Sequence, residues 1–270
     1  KNNTSVNRNN SGDTIVKVYR LINNKWSQIG EDLTQYTSPN DGIYVNSSIS
    51  INKNGTVLVI GNFTNNKDNT NVYKYENESW NNYGSTIQGI IGDLSGYSVS
   101  VNDEGTIIAI GARLNDDDID NDGNPNNNIG KVQIYQMEDN DWIQLGGNIY
   151  GKVNDGQFGV GVSLNSSGHR IAIGGWLANG NGTTYVYELN ENNWIQLGND
   201  IIGEAINDYS GFIVSLSADG NVVAIGANNN DGINGTNSGH ARVYKYIDGS
   251  WTQLGEDIDG EASGDKSGIS

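Results

Sequence analysis

The sequence predicts an all-β protein, a β-propeller of four-stranded antiparallel blades, and three observations carry that expectation. A tyrosine and a tryptophan recur seven residues apart, at Tyr19/Trp26, Tyr73/Trp80, Tyr135/Trp142, Tyr187/Trp194 and Tyr244/Trp251. Each Trp is followed four positions later by glycine, at Gly30, Gly84, Gly146, Gly198 and Gly255. A second block reads GYSVSVNDEGTIIAIGA at 96–112, GVGVSLNSSGHRIAIGG at 159–175 and GFIVSLSADGNVVAIGA at 211–227, with a degenerate copy at 46–62. Repeats at this period, built of short strands without helical patterning, are the signature of stacked β units.

Each unit yields four strands, A to D. Strand A alternates, as in Ser98-Val99-Ser100-Val101, so its two faces differ. Strand B is a nearly continuous apolar run, Thr106 to Ile110, as expected of a strand buried on both faces. The turn between them carries Asn-Gly, Glu-Gly, Ser-Gly or Asp-Gly, and its glycine precedes the Ile-Gly glycine by six every time. Strand C ends at the repeated Tyr, and a short polar turn leads to the Trp of strand D. The fixed spacing predicts that this Tyr and Trp meet as a cross-strand aromatic pair. All five pairs are expected to pack between blades.

Residues 1–270 read as a single propeller domain of four complete units plus a split one, from a ring of five to seven blades. The chain starts just before a strand C, and GIS at 268–270 opens another strand A. Between Ser270 and Lys1 only a strand B is wanting, and the cut inside a constant block reads as a window in a longer run of repeats.

The block GYSVSVNDEGTIIAIGA resembles the FG-GAP repeats, best known from the propeller of integrin α chains, and is most similar to bacterial, protist and large-virus members. Phe158-Gly159 matches the family's Phe-Gly, and Gly111-Ala112 and Gly226-Ala227 match its Gly-Ala-Pro without the proline. The resemblance implies an extracellular or surface binding module rather than an enzyme. The family's calcium loop between strands A and B is not carried over. The equivalent turns, 102-NDEG-105, 165-NSSG-168 and 217-SADG-220, are too short to wrap a cation.

A different loop offers oxygen donors. The stretch 115-NDDDIDNDGNPNNN-128, between strands B and C, contains Asp118-x-Asp120-x-Asp122-Gly123, which fits the first half of an EF-hand-like calcium loop. Asn126 falls where the integrin-type loop places its last Asp. Ile129 stands where an EF-hand has its closing Glu. Hard oxygens without His or Cys favour calcium over zinc. Asp118, Asp120, Asp122 and Asn126 are the candidate ligands, and a solvated acidic loop is the alternative.

In an A-B-C-D blade the B–C loops and D–A crossovers emerge on one face of the ring. Gly61 to Tyr73, Gly111 to Tyr135, Gly174 to Tyr187 and Gly226 to Tyr244 span 12, 24, 13 and 18 residues, so length variation concentrates there. Variable loops on a rigid scaffold are where binding usually resides. These loops also hold most of the acidic residues, which predicts an anionic, irregular face. Trp176, just after Ile-Gly-Gly, is a candidate sugar platform or a filler beside a short loop. Arg113 is the one arginine in a complete B–C loop or D–A crossover, and a candidate ligand contact.

Composition narrows the partners. A net charge of -17 argues against a nucleic-acid partner, since Lys and Arg make the phosphate contacts. No apolar run is long enough to insert into a membrane. With no cysteine and two histidines, His169 and His240, placed at equivalent-looking strand edges, catalysis has little to work with. The sequence therefore predicts a non-enzymatic adhesion or assembly module, extracellular or on a cell or virion surface, that binds protein or glycan with calcium as a candidate cofactor. A lectin-like propeller is the alternative, followed by a carbohydrate-active enzyme.

Overall fold

The constant block folds as an antiparallel hairpin in every unit. A computed structural model of the chain describes residues 2–8, 14–35, 46–64, 67–117 and 128–270. The first sheet holds β1 (Asn2–Arg8), β2 (Thr14–Ile22), β3 (Lys25–Gln28) and β4 (Leu33–Gln35). The second holds β5 (Asn46–Ile51), β6 (Val57–Thr64), β7 (Lys67–Glu76), β8 (Ser79–Asn82) and β9 (Ile87–Gln88). The third holds β10 (Ser95–Val101), β11 (Ile107–Ala112), β12 (Lys131–Glu138), β13 (Asp141–Gln144) and β14 (Ile149–Tyr150). The fourth holds β15 (Phe158–Leu164), β16 (Arg170–Gly175), β17 (Thr183–Asn190), β18 (Asn193–Gln196) and β19 (Ile201–Ile202). The fifth holds β20 (Ile213–Leu216), β21 (Val222–Ala227), β22 (His240–Ile247), β23 (Ser250–Gln253) and β24 (Ile258–Asp259). No α-helix occurs among the described residues, and a single 3-10 turn covers Ala178–Gly180.

In the second to fifth sheets the order is A-B-C-D, all antiparallel, and the fold is the expected β-propeller. Each short terminal strand returns to pair with strand C, as β14 does with β12. The Trp-x-x-x-Gly motif explains this. Gly146 takes φ +73°, which bends strand D away from strand C before the chain rejoins it. One expectation about the first unit is corrected: β1 pairs with β2 in the place of strand B, which is therefore not the missing strand of that sheet.

The A–B turn is stabilised by its first residue. The side-chain carbonyl of Asn102 accepts from Thr106 N at 2.9 Å and Ile107 N at 3.0 Å, while its amide donates to Ser167 O of the next blade. Asn52 repeats the pattern. Strand B of the third blade is buried along its whole length, Ile107 to Ala112, because neighbouring blades cover both its faces.

The register corrects the aromatic pairing. The repeated Tyr faces a strand-D side chain two residues beyond the Trp, as in Tyr135 opposite Gln144, and Trp142 faces Met137 instead. Where an aromatic stands two residues after the Tyr, a pair does form, at Tyr75–Trp80 and Tyr246–Trp251. The two-residue turn, Asp139-Asn140 in the third blade, is centred one residue later than a Tyr–Trp pair requires, which moves every partner by two residues.

The Trp residues join one blade to the next. Trp80 Nε1 donates to Ile29 O at 3.0 Å, Trp142 to Tyr83 O at 2.6 Å, Trp194 to Leu145 O at 2.9 Å and Trp251 to Leu197 O at 2.8 Å. Each acceptor is the residue before the motif glycine of the preceding blade, and that glycine lies under the indole. Trp26 departs from the expectation of burial and is 49% exposed.

A second close approach accounts for the Ile-Gly glycine. A Cβ on Gly111 would sit 2.1 Å from the Gly159 carbonyl, where strand A of the next blade crosses strand B. No larger residue fits there without moving the backbone.

Candidate functional site at the channel mouth

Strands A of the second to fifth blades line a central cavity of about 400 Å³. Its walls are Ser48, Ser98, Val99, Val160, Gly161, Val162, Ile213 and Val214, with Phe63, Tyr97 and Phe212 also contributing. The two serines are engaged: Ser48 Oγ donates to Gly96 O at 2.7 Å, and Ser98 Oγ to Gly159 O at 2.8 Å. Among the described residues the cavity wall contains no histidine or carboxylate.

One end of the cavity is rimmed by side chains from the ends of strands B and from the D–A crossovers. Phe63 packs on Tyr97 with ring centroids 5.0 Å apart. The Arg113 guanidinium stacks over Tyr97, 4.4 Å from its centroid, a cation–π contact. Arg113 Nη1 donates to Gln157 Oε1, and Trp176 Nε1 donates to the same oxygen at 2.9 Å. Trp176 in turn meets Tyr209 at 4.7 Å and Phe212 at 5.4 Å. Arg113 and Trp176, singled out separately in the sequence, thus meet through one glutamine.

Local backbone geometry builds this rim. Gln157 has φ +51°, and Leu94 and Tyr209 hold the same left-handed conformation at the same register of their crossovers. Such backbone is uncommon outside glycine and is held by its surroundings. At the end of strand B, Phe63, Arg113, Trp176 and Asn228 occupy one register position, two residues after the Ile-Gly glycine. Gln157, Tyr97, Phe212 and Asn228 were missed in the sequence. A varying residue at a fixed place in an otherwise constant block was the available signal.

Arg113 is half-buried, and no carboxylate lies within ion-pair distance of it among the described residues. Its Nε is buried without a hydrogen-bond partner there. Burial lowers its pKa from the usual arginine value, with Tyr97 opposing that shift.

Two other polar clusters lie outside the cavity. In the third blade the Lys131 ammonium, 6% exposed, lies 3.0 Å from Asp117 and 3.8 Å from Asp93. Asn115 donates to Asp93 at 2.6 Å, and the Tyr150 hydroxyl donates to Asp117 at 3.1 Å. Burial raises the pKa of Asp93. Asp117 is also penalised by burial, yet the hydrogen bond and charge of Lys131 hold it below the usual range.

In the fifth blade Glu204, His240 and Asp257 bring three potential metal-ligating atoms within 4.8 Å of one another. Arg242 already occupies this cluster, bidentate to Asp257 at 2.8 and 2.6 Å and 2.6 Å from Glu204. The fixed guanidinium neutralises both carboxylates, so the group is an ion-pair network rather than a metal cage. The two histidines are not equivalent, contrary to expectation. His169 is exposed beside the A–B turn, whereas His240 is buried at the start of strand C.

Of the candidate calcium ligands, Asp118, Asp120, Asp122 and Asn126 all lie outside the described residues. The flanks of that loop are anchored. Asp116 accepts from Asn128 N at 2.7 Å, and Asp117 is held by Lys131.

No family model matches the chain, and a search of curated proteins finds no relative. Membership of the FG-GAP family is therefore not shown. Solved structures do match. A candidate 6-phosphogluconolactonase from Bacteroides uniformis is 11% identical with a TM-score of 0.61, covering 96% of this chain and 70% of its own. The periplasmic gluconolactonase of Pseudomonas aeruginosa is 15% identical with a TM-score of 0.58, covering 96% and 68%. TolB from Acinetobacter baumannii is 11% identical with a TM-score of 0.56, covering 97% and 52%. At such identities the likeness shows the fold alone.

These neighbours correct the reading of the chain as a non-enzymatic adhesion or assembly module. Proteins named as lactonases share its architecture, so scarcity of histidine and absence of cysteine do not exclude catalysis on this scaffold. No helix among the described residues is long and apolar enough to cross a membrane.

Proposed function

We propose that this propeller acts on a sugar-derived ring, and that opening of a sugar lactone by water is its reaction. The observation that carries the reading is the cavity of about 400 Å³ rimmed by Phe63, Tyr97, Trp176 and Phe212. Its size falls in the range of small-molecule sites, and aromatic faces suit the apolar face of a sugar ring. Lactonase-named propellers among the neighbours support the choice of reaction.

Lactone hydrolysis also asks little of a site. Water adds to the carbonyl carbon, and the ring oxygen leaves as an alcohol with the added water's proton. A positioned water and a donor to the carbonyl oxygen lower that barrier. The Tyr97 hydroxyl is such a donor at the rim. A periplasmic neighbour supports a secreted or periplasmic location.

The test is hydrolysis of gluconolactone and of its 6-phosphate, followed by acid release in a pH-stat and corrected for the spontaneous rate. Acceleration that falls at least tenfold in Trp176→Ala is expected. No acceleration of either lactone by the parent protein rejects the reaction.

A further inference from the structure

Resting on the lactone reading of the same mouth, we propose that its ligand carries an anionic oxygen group, a carboxylate or a phosphate monoester, and that Arg113 selects it. The end of strand B delivers Phe63, Arg113, Trp176 and Asn228 at one register position in four successive blades. The surrounding block is nearly constant, because the Ile-Gly glycine is pinned by the next blade's backbone. The fold therefore holds this position in place while its side chain changes. Four different chemistries result: two aromatic faces, one cation and one amide.

The cation is the informative member. Among the described residues Lys17, Lys53, Lys74, Lys131, Lys152, Arg170 and Arg242 each have a carboxylate within ion-pair distance, and Lys25, Lys245 and Lys266, which have none, are exposed to solvent, whereas Arg113 is half-buried. Arg113 has none, in a chain of net charge -17. It is held instead by neutral groups, the Tyr97 ring and the Gln157 carbonyl oxygen. Gln157 is fixed from its other side by Trp176. The guanidinium is thus oriented without being neutralised, and its buried Nε has no acceptor among the described residues. Guanidinium forks match carboxylate and phosphate oxygens, and a charge-assisted bond is about twice as strong as a neutral one.

The ligand that fits is therefore an acid or a phosphate monoester, read as an anion at Arg113.

The test is binding rather than turnover, by calorimetric titration of the parent protein with gluconate, 6-phosphogluconate and glucose. At least one anion is expected to bind about tenfold or more tightly than glucose. Whichever anion is preferred identifies the group as carboxylate or phosphate. In Arg113→Gln that preference should fall to about twofold or less while glucose affinity stays unchanged. Arg113→Lys, which keeps the charge but loses the fork, should retain an intermediate preference.

An undiminished preference in Arg113→Gln overturns the proposal, as does its absence in the parent or failure of all three probes to bind. Should Arg113→Gln not fold, Arg113→Lys decides: a preference equal to the parent's shows that the fork does not read the ligand. Anion preference without lactone turnover rejects the reaction and leaves the selectivity standing; turnover insensitive to Arg113 with no anion preference does the reverse.

Discussion

Trp194 and Gly146 are seated against each other across a blade junction. The indole N–H reaches Leu145 O at 2.9 Å, and a Cβ on Gly146 would meet the indole Cδ1 at the same 2.9 Å. Gly255 has nearly the same backbone, φ +78° against +73°, yet nothing lies within 4 Å of where its Cβ would be. Gly255→Ala should therefore cost only the left-handed backbone penalty, about 1 kcal/mol. Gly146→Ala should cost about 2 kcal/mol more, because the indole must move. Urea unfolding of the two variants measures the difference, and equal losses would remove the steric role of the Trp seat.

The junction hydrogen bond can be separated from the packing. Trp142→Phe keeps most of the buried ring but leaves Tyr83 O without its donor at 2.6 Å. A loss of about 1–3 kcal/mol is expected, the penalty for a buried unsatisfied carbonyl. Trp26→Phe is the control, since Trp26 is half-exposed, and should change stability by less than about 0.5 kcal/mol.

Lys131 neutralises carboxylates that are partly withdrawn from water. Lys131→Met should destabilise the fold by about 3 kcal/mol, because the buried side of Asp93 loses its cation. Adding Asp93→Asn should restore part of that loss. A double variant no more stable than Lys131→Met would show that Asp93 does not depend on the lysine.

Acid should weaken the fold in two steps. Burial depresses the pKa of His240 below 6.5, with Arg242 adding to the shift, so the unfolded chain takes up a proton first as pH falls. Stability is full above pH 6.5 and declines as pH drops through the folded value. The Arg242 hydrogen bond likewise holds Asp257 below 3.8, so a second loss begins under pH 3.8. Melting temperature against pH should show both, and His240→Gln should remove the first step alone. A first step that persists in His240→Gln would assign it to another group.

Calcium at Asp118, Asp120, Asp122 and Asn126 is decided by melting in millimolar calcium and in chelator. The expected outcome is an upward shift with calcium that disappears in Asp118→Ala/Asp120→Ala. Equal melting of the parent protein under both conditions removes the ion from this loop.

Spacing alone revealed the blade, because hairpin geometry repeats strictly and leaves its period in the chain. The glycines of Trp-x-x-x-Gly and Ile-Gly were equally visible. Their purpose was not, since each is required by a residue about 50 positions away, such as Trp194 for Gly146 and Gly159 for Gly111. The Tyr–Trp pairing failed for a related reason: spacing gives the separation of two residues but not where between them the turn falls, which decides which ones face each other.

At the channel mouth, Arg113 could be chosen from the sequence as the one arginine in a complete B–C loop or D–A crossover, and Trp176 as the one tryptophan outside the repeat position. Their link through Gln157 could not, because that residue comes from a crossover, and its left-handed backbone leaves no mark in its residue type. The sequence by itself determined the blade and the order of its strands A to D, since local periodicity and turn chemistry depend on near neighbours. Only the tertiary structure decided which varying residues meet, because blades packed side by side bring one register position of each toward the shared cavity. Among the described residues that packing leaves Arg113 beside the Tyr97 ring and the Gln157 amide rather than a carboxylate, a relation between blades that no single repeat contains.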